Sequence, residues 1–351
     1  MKKLKLQGFH TYSVQFAYLC SRMNNLLSEA GSGVQRNMQK KTATVVKHTG
    51  SHYLLSALPE WNLFPAVLRG RIRLKGSTAT NPVAVGDRVV YESETGTPTL
   101  ENPAVILSVQ ERKNYVIRKS ANLSRQAHII AANVDKAFIV ATLDFPEVKL
   151  PFLDRILVTC EVYNVHPVIV MNKTDLFRTA FSGQLEAFHR IYEGAGYKVL
   201  DVSALTGEGI GILREECRDS VSLFSGVSGV GKSSLIKALD PSIELKIGEI
   251  SEAHLQGKHT TTFYEMYPLA TGGFIIDTPG IRGFGLVDIR PEEIALYFPE
   301  MFKASENCRF TPCTHTHEPG CAVKAAVEEG TISSERYMSY LGMLEEGEKY
   351  R

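Results

Sequence analysis

The sequence predicts a multidomain chain: a small N-terminal β-barrel, a central α/β domain, and a mostly helical C-terminal segment gathered round cysteines and histidine. Three observations along its 351 residues carry that prediction. Short runs of β-forming residues, separated by Gly, Pro and Asn, fill residues 42–112. Apolar strand-like runs alternate with helical patterns through residues 113–290, the signature of an α/β sheet. From residue 291 onward the pattern is helical, except around Cys308, Cys313 and Cys321. Residues 1–41 fit none of these patterns.

That first stretch is mixed and weakly periodic. Lys2, Lys3 and Lys5 precede the apolar run Phe16-Ala17-Tyr18-Leu19-Cys20, but His10 and Gln15 interrupt the stretch leading into it and the run is too short to cross a membrane. A disordered or partly helical extension is expected, with Met23 or Met38 as alternative starts. No other segment is apolar for long enough to span a bilayer, so no membrane partner is expected and a cytoplasmic location is the default.

The barrel segment offers Thr44-Val45-Val46, Tyr53-Leu54-Leu55, Val67-Leu68, Val89-Val90-Tyr91 and Val105-Ile106-Leu107 as strands. Within it, Arg69, Arg71, Arg73 and Lys75 occupy every second position. On a strand, that period puts four cations on one face, with Ile72 and Leu74 on the other. A basic strand face is a nucleic-acid footprint, and Trp61, Phe64 and Tyr53 are candidates to stack on bases. The competing reading is a solvated face above core aromatics. Lys plus Arg is 39 against 38 for Asp plus Glu, a net charge of +1, so any RNA contact has to be local.

The central segment begins with the strand Ala137–Ala141 and a helix over Phe152–Tyr163. Next, Val168-Ile169-Val170-Met171 reads as a buried parallel strand that delivers Asn172-Lys173-Thr174-Asp175. The tetrapeptide is the N-K-x-D signature of proteins that read guanine. A carboxylate only accepts hydrogen bonds, and guanine presents two adjacent donors, N1–H and the 2-amino group. Asp175 can take both, whereas adenine would set a lone pair against it. Asn172 would tether the loop and touch the base, and the Lys173 stem would pack on the purine. Thr174 completes the motif. The strand Tyr197–Val202 then ends in Ser203-Ala204-Leu205, which matches the Ser-Ala loop that backs guanine.

The run Gly226-Val227-Ser228-Gly229-Val230-Gly231-Lys232-Ser233 is G-x-x-x-x-G-K-[ST], a phosphate-cradling loop between the strand Ser220–Ser225 and the helix Ser234–Leu239. Its glycines let backbone N–H groups wrap a triphosphate, and Lys232 supplies a point charge. Ser233 is a Mg²⁺ ligand candidate, and so is Asp277 at the end of the apolar strand Gly273–Ile276, ahead of Thr278-Pro279-Gly280. Thr260 or Thr261, in Gly257-Lys258-His259-Thr260-Thr261-Thr262, would complete the metal shell, with Thr261 carried into the ligand set. Most GTPases place the phosphate loop before N-K-x-D. Here it comes after, which predicts a circularly permuted domain, since permutation rejoins surface loops and leaves the site intact.

Cys308, Cys313, His315 and Cys321 give the spacing C-x₄-C-x-H-x₅-C. Three thiolates and one imidazole make a closed, structural tetrahedral site for one Zn²⁺. Cys20, Cys160 and Cys217 are scattered, so a disulfide framework is not indicated. His317 competes with His315 on position alone.

Taken together, the order NKxD, SA, GxxxxGKS, GxHTTT, DTPG and Cys/His cluster resembles the ribosome small-subunit-dependent GTPase A family of bacteria, from about residue 42 to the C-terminus. The resemblance implies an OB-fold barrel, a permuted P-loop GTPase domain and a zinc domain, with His315 as the histidine ligand. It also implies late maturation of the small ribosomal subunit and its rRNA as partner, with GTP hydrolysis to GDP stimulated by that subunit. A monomer is expected. Many GTPases place a water-orienting Gln where this chain has Ile281, so intrinsic turnover should be slow. His259 is then the cis candidate for orienting water, with Lys232 and Mg²⁺ carrying charge stabilisation. A non-hydrolysing RNA scaffold that uses GTP only to set its conformation is the alternative. An ATPase or kinase is opposed by Asp175.

Overall fold

The computed structural model describes residues 39–49, 52–69, 82–94, 96–119, 127–245, 264–277 and 289–349. The described residues form two compact units: those among 39–69 and 88–110, and those among 82–87 and 111–349.

The first unit is a closed five-stranded barrel. Its strands are β1 (Gln39–Thr49), β2 (His52–Ser56), β3 (Phe64–Leu68), β4 (Arg88–Ser93) and β5 (Ala104–Val109). β1 pairs antiparallel with both β2 and β4, β2 with β3, and β4 with β5, while β3 and β5 run parallel and complete the ring. Among the described residues, every strand of the ring has a partner on both sides. β1 can serve two neighbours because its register shifts between Val45 and Lys47, a bulge that turns the strand. Val45, Leu55, Ala66, Val89 and Ile106 fill the interior.

Tyr53 and Phe64 join that interior, and Phe64 packs on Tyr91 with ring centroids 5.1 Å apart. The expectation that these two rings stack on nucleobases is therefore corrected: they are core, and only Trp61 stays half-exposed. Arg69 follows the last residue of β3 and pairs with Glu92 at 3.0 Å. Arg71, Arg73 and Lys75 lie outside the described residues, as do residues 1–38.

In the second unit a hairpin, β6 (Tyr115–Lys119) and β7 (Ala127–Ala132), precedes the main sheet. The sheet strands are β8 (Lys136–Ala141), β9 (His166–Met171), β10 (Lys198–Asp201), β11 (Val221–Ser225), β12 (Glu265–Pro268) and β13 (Phe274–Asp277). Their spatial order is β10–β9–β8–β11–β13–β12, parallel except for β12. Val168, Ile169, Val170 and Met171 are fully buried, as a sheet covered on both faces requires. Helices α1 (Leu150–Val162), α2 (Thr174–Ala180), α3 (Ser182–Gly194), α4 (Ile210–Cys217) and α5 (Lys232–Leu239) connect the strands. Because β8, β9, β10, β11 and β13 run the same way, the segments after them share one edge of the sheet, where α/β folds bind ligands.

Beyond the sheet come a 3-10 helix (Pro291–Tyr297), α6 (Pro299–Ser305), α7 (Ala322–Glu328) and α8 (Ser334–Lys349). Ile294, Phe298, Met301, Val323, Tyr340 and Met343 pack with Val158 of α1 in one apolar cluster. At its margin Arg336 of α8 is fully buried. It donates to Asp154 of α1 at 2.7 Å and to both carboxylate oxygens of Glu300 of α6 at 2.8 and 3.1 Å. Its guanidinium also lies 4.6 Å from the Phe298 ring centre.

Candidate nucleotide-binding site and metal centre

The loop Gly226–Gly231 leaves β11 and turns into α5, which begins at Lys232. Gly226 has φ 154°, and a Cβ there would stand 2.6 Å from the Val140 carbonyl. Gly231 has φ 95°, and a Cβ there would stand 2.3 Å from Asn172 Nδ2. Both glycines are needed because the loop presses directly on β8 and on the N-K-T-D segment. Val230 is buried, Val227 and Ser233 are half-buried, and Ser228, Gly229 and Ser234 are exposed. The result is a concave backbone at a helix N-terminus, where amide dipoles favour an anion.

Lys232 is buried, and its ammonium donates to the Gly226 carbonyl at 2.8 Å and the Val227 carbonyl at 3.3 Å. Burial holds its pKa below the ordinary lysine value, and the charge of Asp277 works against that. Asp277 ends β13 beside Phe224 of β11, so it stands at the same edge of the sheet as the loop.

Asn172 is buried and joins three segments. Its Nδ2 donates to the Val230 carbonyl at 2.8 Å, its Oδ1 accepts from the Ala204 N–H at 3.2 Å, and its own N–H donates to Ala141 at 2.9 Å. Lys173 adopts a left-handed conformation, φ 66°, and its ammonium donates to the Gly229 carbonyl at 3.0 Å and to the Phe145 carbonyl. Thr174 is buried and donates through Oγ1 to the Val202 carbonyl at 3.0 Å. Asp175 is half-buried, and Ser203 Oγ donates to its Oδ1 at 2.6 Å.

The sequence-selected residues Asn172–Asp175, Ser203, Ala204 and Gly226–Ser234 thus come together at one end of the sheet, with Asp277 beside them. Such a pocket can accept two donors at Asp175 and a polyanion at the loop. His259, Thr260, Thr261, Pro279, Gly280 and Ile281 lie outside the described residues. Sequence reasoning missed the segment after β8, whose Phe145 carbonyl receives Lys173. Its signal was a Phe-Pro pair just past a buried parallel strand.

In the same unit, the Sγ atoms of Cys308, Cys313 and Cys321 and a ring nitrogen of His315 lie within 4.8 Å of one another. His315 Nδ1 is 3.7 Å from Cys308 Sγ and 3.4 Å from Cys321 Sγ. Burial and the neighbouring sulfurs push the Cys313 thiol up to about 12. A bound cation would supply the positive charge that lets three thiolates coexist. The S₃N donor set suits a metal held tetrahedrally. Cys321 also caps α7, accepting from Lys324 N–H at 3.5 Å. Tyr337 donates to the His315 carbonyl at 2.6 Å, and Tyr340 to the Thr314 carbonyl at 2.7 Å. Burial opposes ionisation of Glu318, but hydrogen bonds from Thr314 and Thr316 outweigh it and hold its pKa at about 2. His317 is exposed, sits outside the cluster, and shares a hydrogen bond with Thr316.

Comparison with known proteins agrees with this geometry. The family model described as RsgA GTPase matches residues 109–287. The small ribosomal subunit biogenesis GTPase RsgA of Bacteroides fragilis is 50% identical over 310 residues, covering 88% of this chain and 98% of that protein. The protein of the same name from Flavobacterium johnsoniae is 46% identical, covering 88% and 94%. Among solved structures, YjeQ from Thermotoga maritima superposes with a TM-score of 0.71 at 32% identity, covering 88% of this chain and 99% of that one. YloQ, described as a circularly permuted GTPase, gives 0.68 at 27% identity, covering 92% and 99%.

Proposed function

The chain belongs to the RsgA GTPase family, and from there we propose that it binds GTP between Asp175 and Lys232, hydrolyses it to GDP and phosphate, and assists late maturation of the small ribosomal subunit, which stimulates the hydrolysis. The observation that carries the reading is Asn172. One buried side chain holds the phosphate-loop carbonyl of Val230 and the Ala204 N–H, three residues before the acid that selects the base.

In this reading Asp175 accepts from guanine N1–H and the 2-amino group, while Ser203 Oγ orients the carboxylate. The Lys173 stem covers the purine. The N–H groups of the phosphate loop and Lys232 take up the β- and γ-phosphate charge, which is where most of the barrier reduction in phosphoryl transfer arises. Ser233 and Asp277, with Thr261 or Thr260, would hold Mg²⁺, which screens the phosphate oxygens. His259 is proposed to orient the attacking water in place of the side chain that Ile281 lacks. Cys308, Cys313, His315 and Cys321 hold one structural Zn²⁺. Arg69, Arg71, Arg73 and Lys75 meet rRNA phosphates. The protein works as a cytoplasmic monomer.

Phosphate release and co-sedimentation with small or large ribosomal subunits test the proposal. Slow turnover alone, strong stimulation by small subunits and retention on them with a non-hydrolysable GTP analogue are expected, and His259→Ala should lose the stimulated rate. Retention on small subunits without any phosphate release would overturn the enzymatic reading and leave a nucleotide-set scaffold.

A further inference from the structure

We propose that the segment Thr142–Val148 is a positioning element of the guanine-nucleotide pocket, pinned by the Thr142 hydroxyl; this rests on the nucleotide-binding reading above. Three observations converge on the segment. Lys173 donates to both the Phe145 and the Gly229 carbonyls, so one ammonium links this segment to the phosphate loop. A Cβ on Gly229 would come within 3.3 Å of Pro146 Cδ, so the proline ring also packs directly on the loop. Finally, Phe145 takes a left-handed backbone, φ 54°, although the residue is 68% exposed and gains little from burial.

That third observation needs a cause. A bulky residue at positive φ is unfavourable and persists only where the surroundings impose it. Here the turn aims the Phe145 carbonyl at the Lys173 ammonium, and a relaxed turn would aim it elsewhere. The segment is closed on itself to hold that aim. Thr142 is buried, its Oγ1 donates to the Pro146 carbonyl at 2.5 Å, and the Val148 N–H donates to the Thr142 carbonyl at 3.0 Å. Asp144 Oδ1 accepts from the Phe145 N–H at 2.8 Å.

The consequence for binding is preorganisation. A lysine stem free to swing loses rotamer entropy when a purine settles on it, and a stem held at its far end has already lost it. Thr142 is a positioning residue: it touches neither base nor phosphate and acts through Pro146, Phe145 and Lys173.

Dissociation of a fluorescent GDP analogue from the full-length protein tests this, with KM and kcat for GTP measured alongside. Thr142→Val removes the hydroxyl and keeps the shape. Its net hydrogen-bond contribution corresponds to roughly two- to tenfold faster release, with the loss falling on KM rather than kcat. Thr142→Ser restores the donor and should restore slow release. Release from Thr142→Val at the wild-type rate, or equal loss in the Val and Ser variants, would overturn the proposal. Asp175→Ala separates the two levels of the argument: if wild type and Asp175→Ala hold the analogue alike, the nucleotide reading itself fails.

Discussion

In the proposed pocket Asp175 and Asn172 divide one task between them. Asp175 presents oxygen to the pocket while Ser203 occupies Oδ1 from the side, and Asn172 ties its loop to the phosphate cradle. Asp175→Asn replaces a double acceptor by one acceptor and one donor. Guanine then faces a donor across from a donor, at a cost of about 3 kcal/mol, roughly a hundredfold in GTP affinity. Xanthine carries an oxygen where guanine carries the amino group, so the same variant should gain affinity for xanthosine triphosphate. Competition binding with both nucleotides reads the exchange. That these two segments meet was legible in the sequence because N-K-x-D and GxxxxGKS carry fixed spacings, and the roles proposed for their residues rest on those spacings. Thr142, Phe145 and Pro146 carry no such spacing. Their contribution runs through backbone carbonyls, and side-chain identity says little about where a carbonyl points.

Among the elements, α8 carries the most consequence for the C-terminal helices. Its Arg336 meets two acids from two other helices in a site closed to water, and its Tyr337 and Tyr340 hold the carbonyls flanking the His315 turn. Burying three charges is expensive, and removing one leaves the others uncompensated. Arg336→Met should therefore destabilise the fold by about 3–5 kcal/mol in denaturant titration. Combining it with Asp154→Leu and Glu300→Leu should recover most of that loss. Helix and strand identities followed from periodicity: the helix expected over 152–163 is found at Leu150–Val162, and the strand at 168–171 lies within His166–Met171. The buried ion triad did not follow, because Asp154 and Arg336 are 182 positions apart and each reads as a surface charge in its own helix. The barrel aromatics misled for the related reason that Tyr53 and Phe64 look the same in sequence whether they face solvent or core.

In the whole molecule, the Cys/His cluster and the proposed nucleotide pocket lie in one compact unit but are built from separate elements. Stripping the metal with a chelator, or Cys321→Ser, should remove one zinc equivalent by elemental analysis and lower the melting temperature. GDP binding should survive, since the proposed pocket is built from β8, β9, β10 and β11 and the loops that follow them. The order of strands has a further consequence. β8, β9 and β10 form one contiguous block of chain and β11, β12 and β13 another, and among the described residues β8 with β11 is the one strand pairing between them. The segments with Asn172–Asp175 and Ser203-Ala204 belong to the first block and Gly226–Ser233 to the second. A nucleotide bound in the proposed pocket would lie across that seam, acting as a rivet between halves that the chain makes one after the other and adding to the hydrogen bonds and loop packing that already cross it on this edge of the sheet.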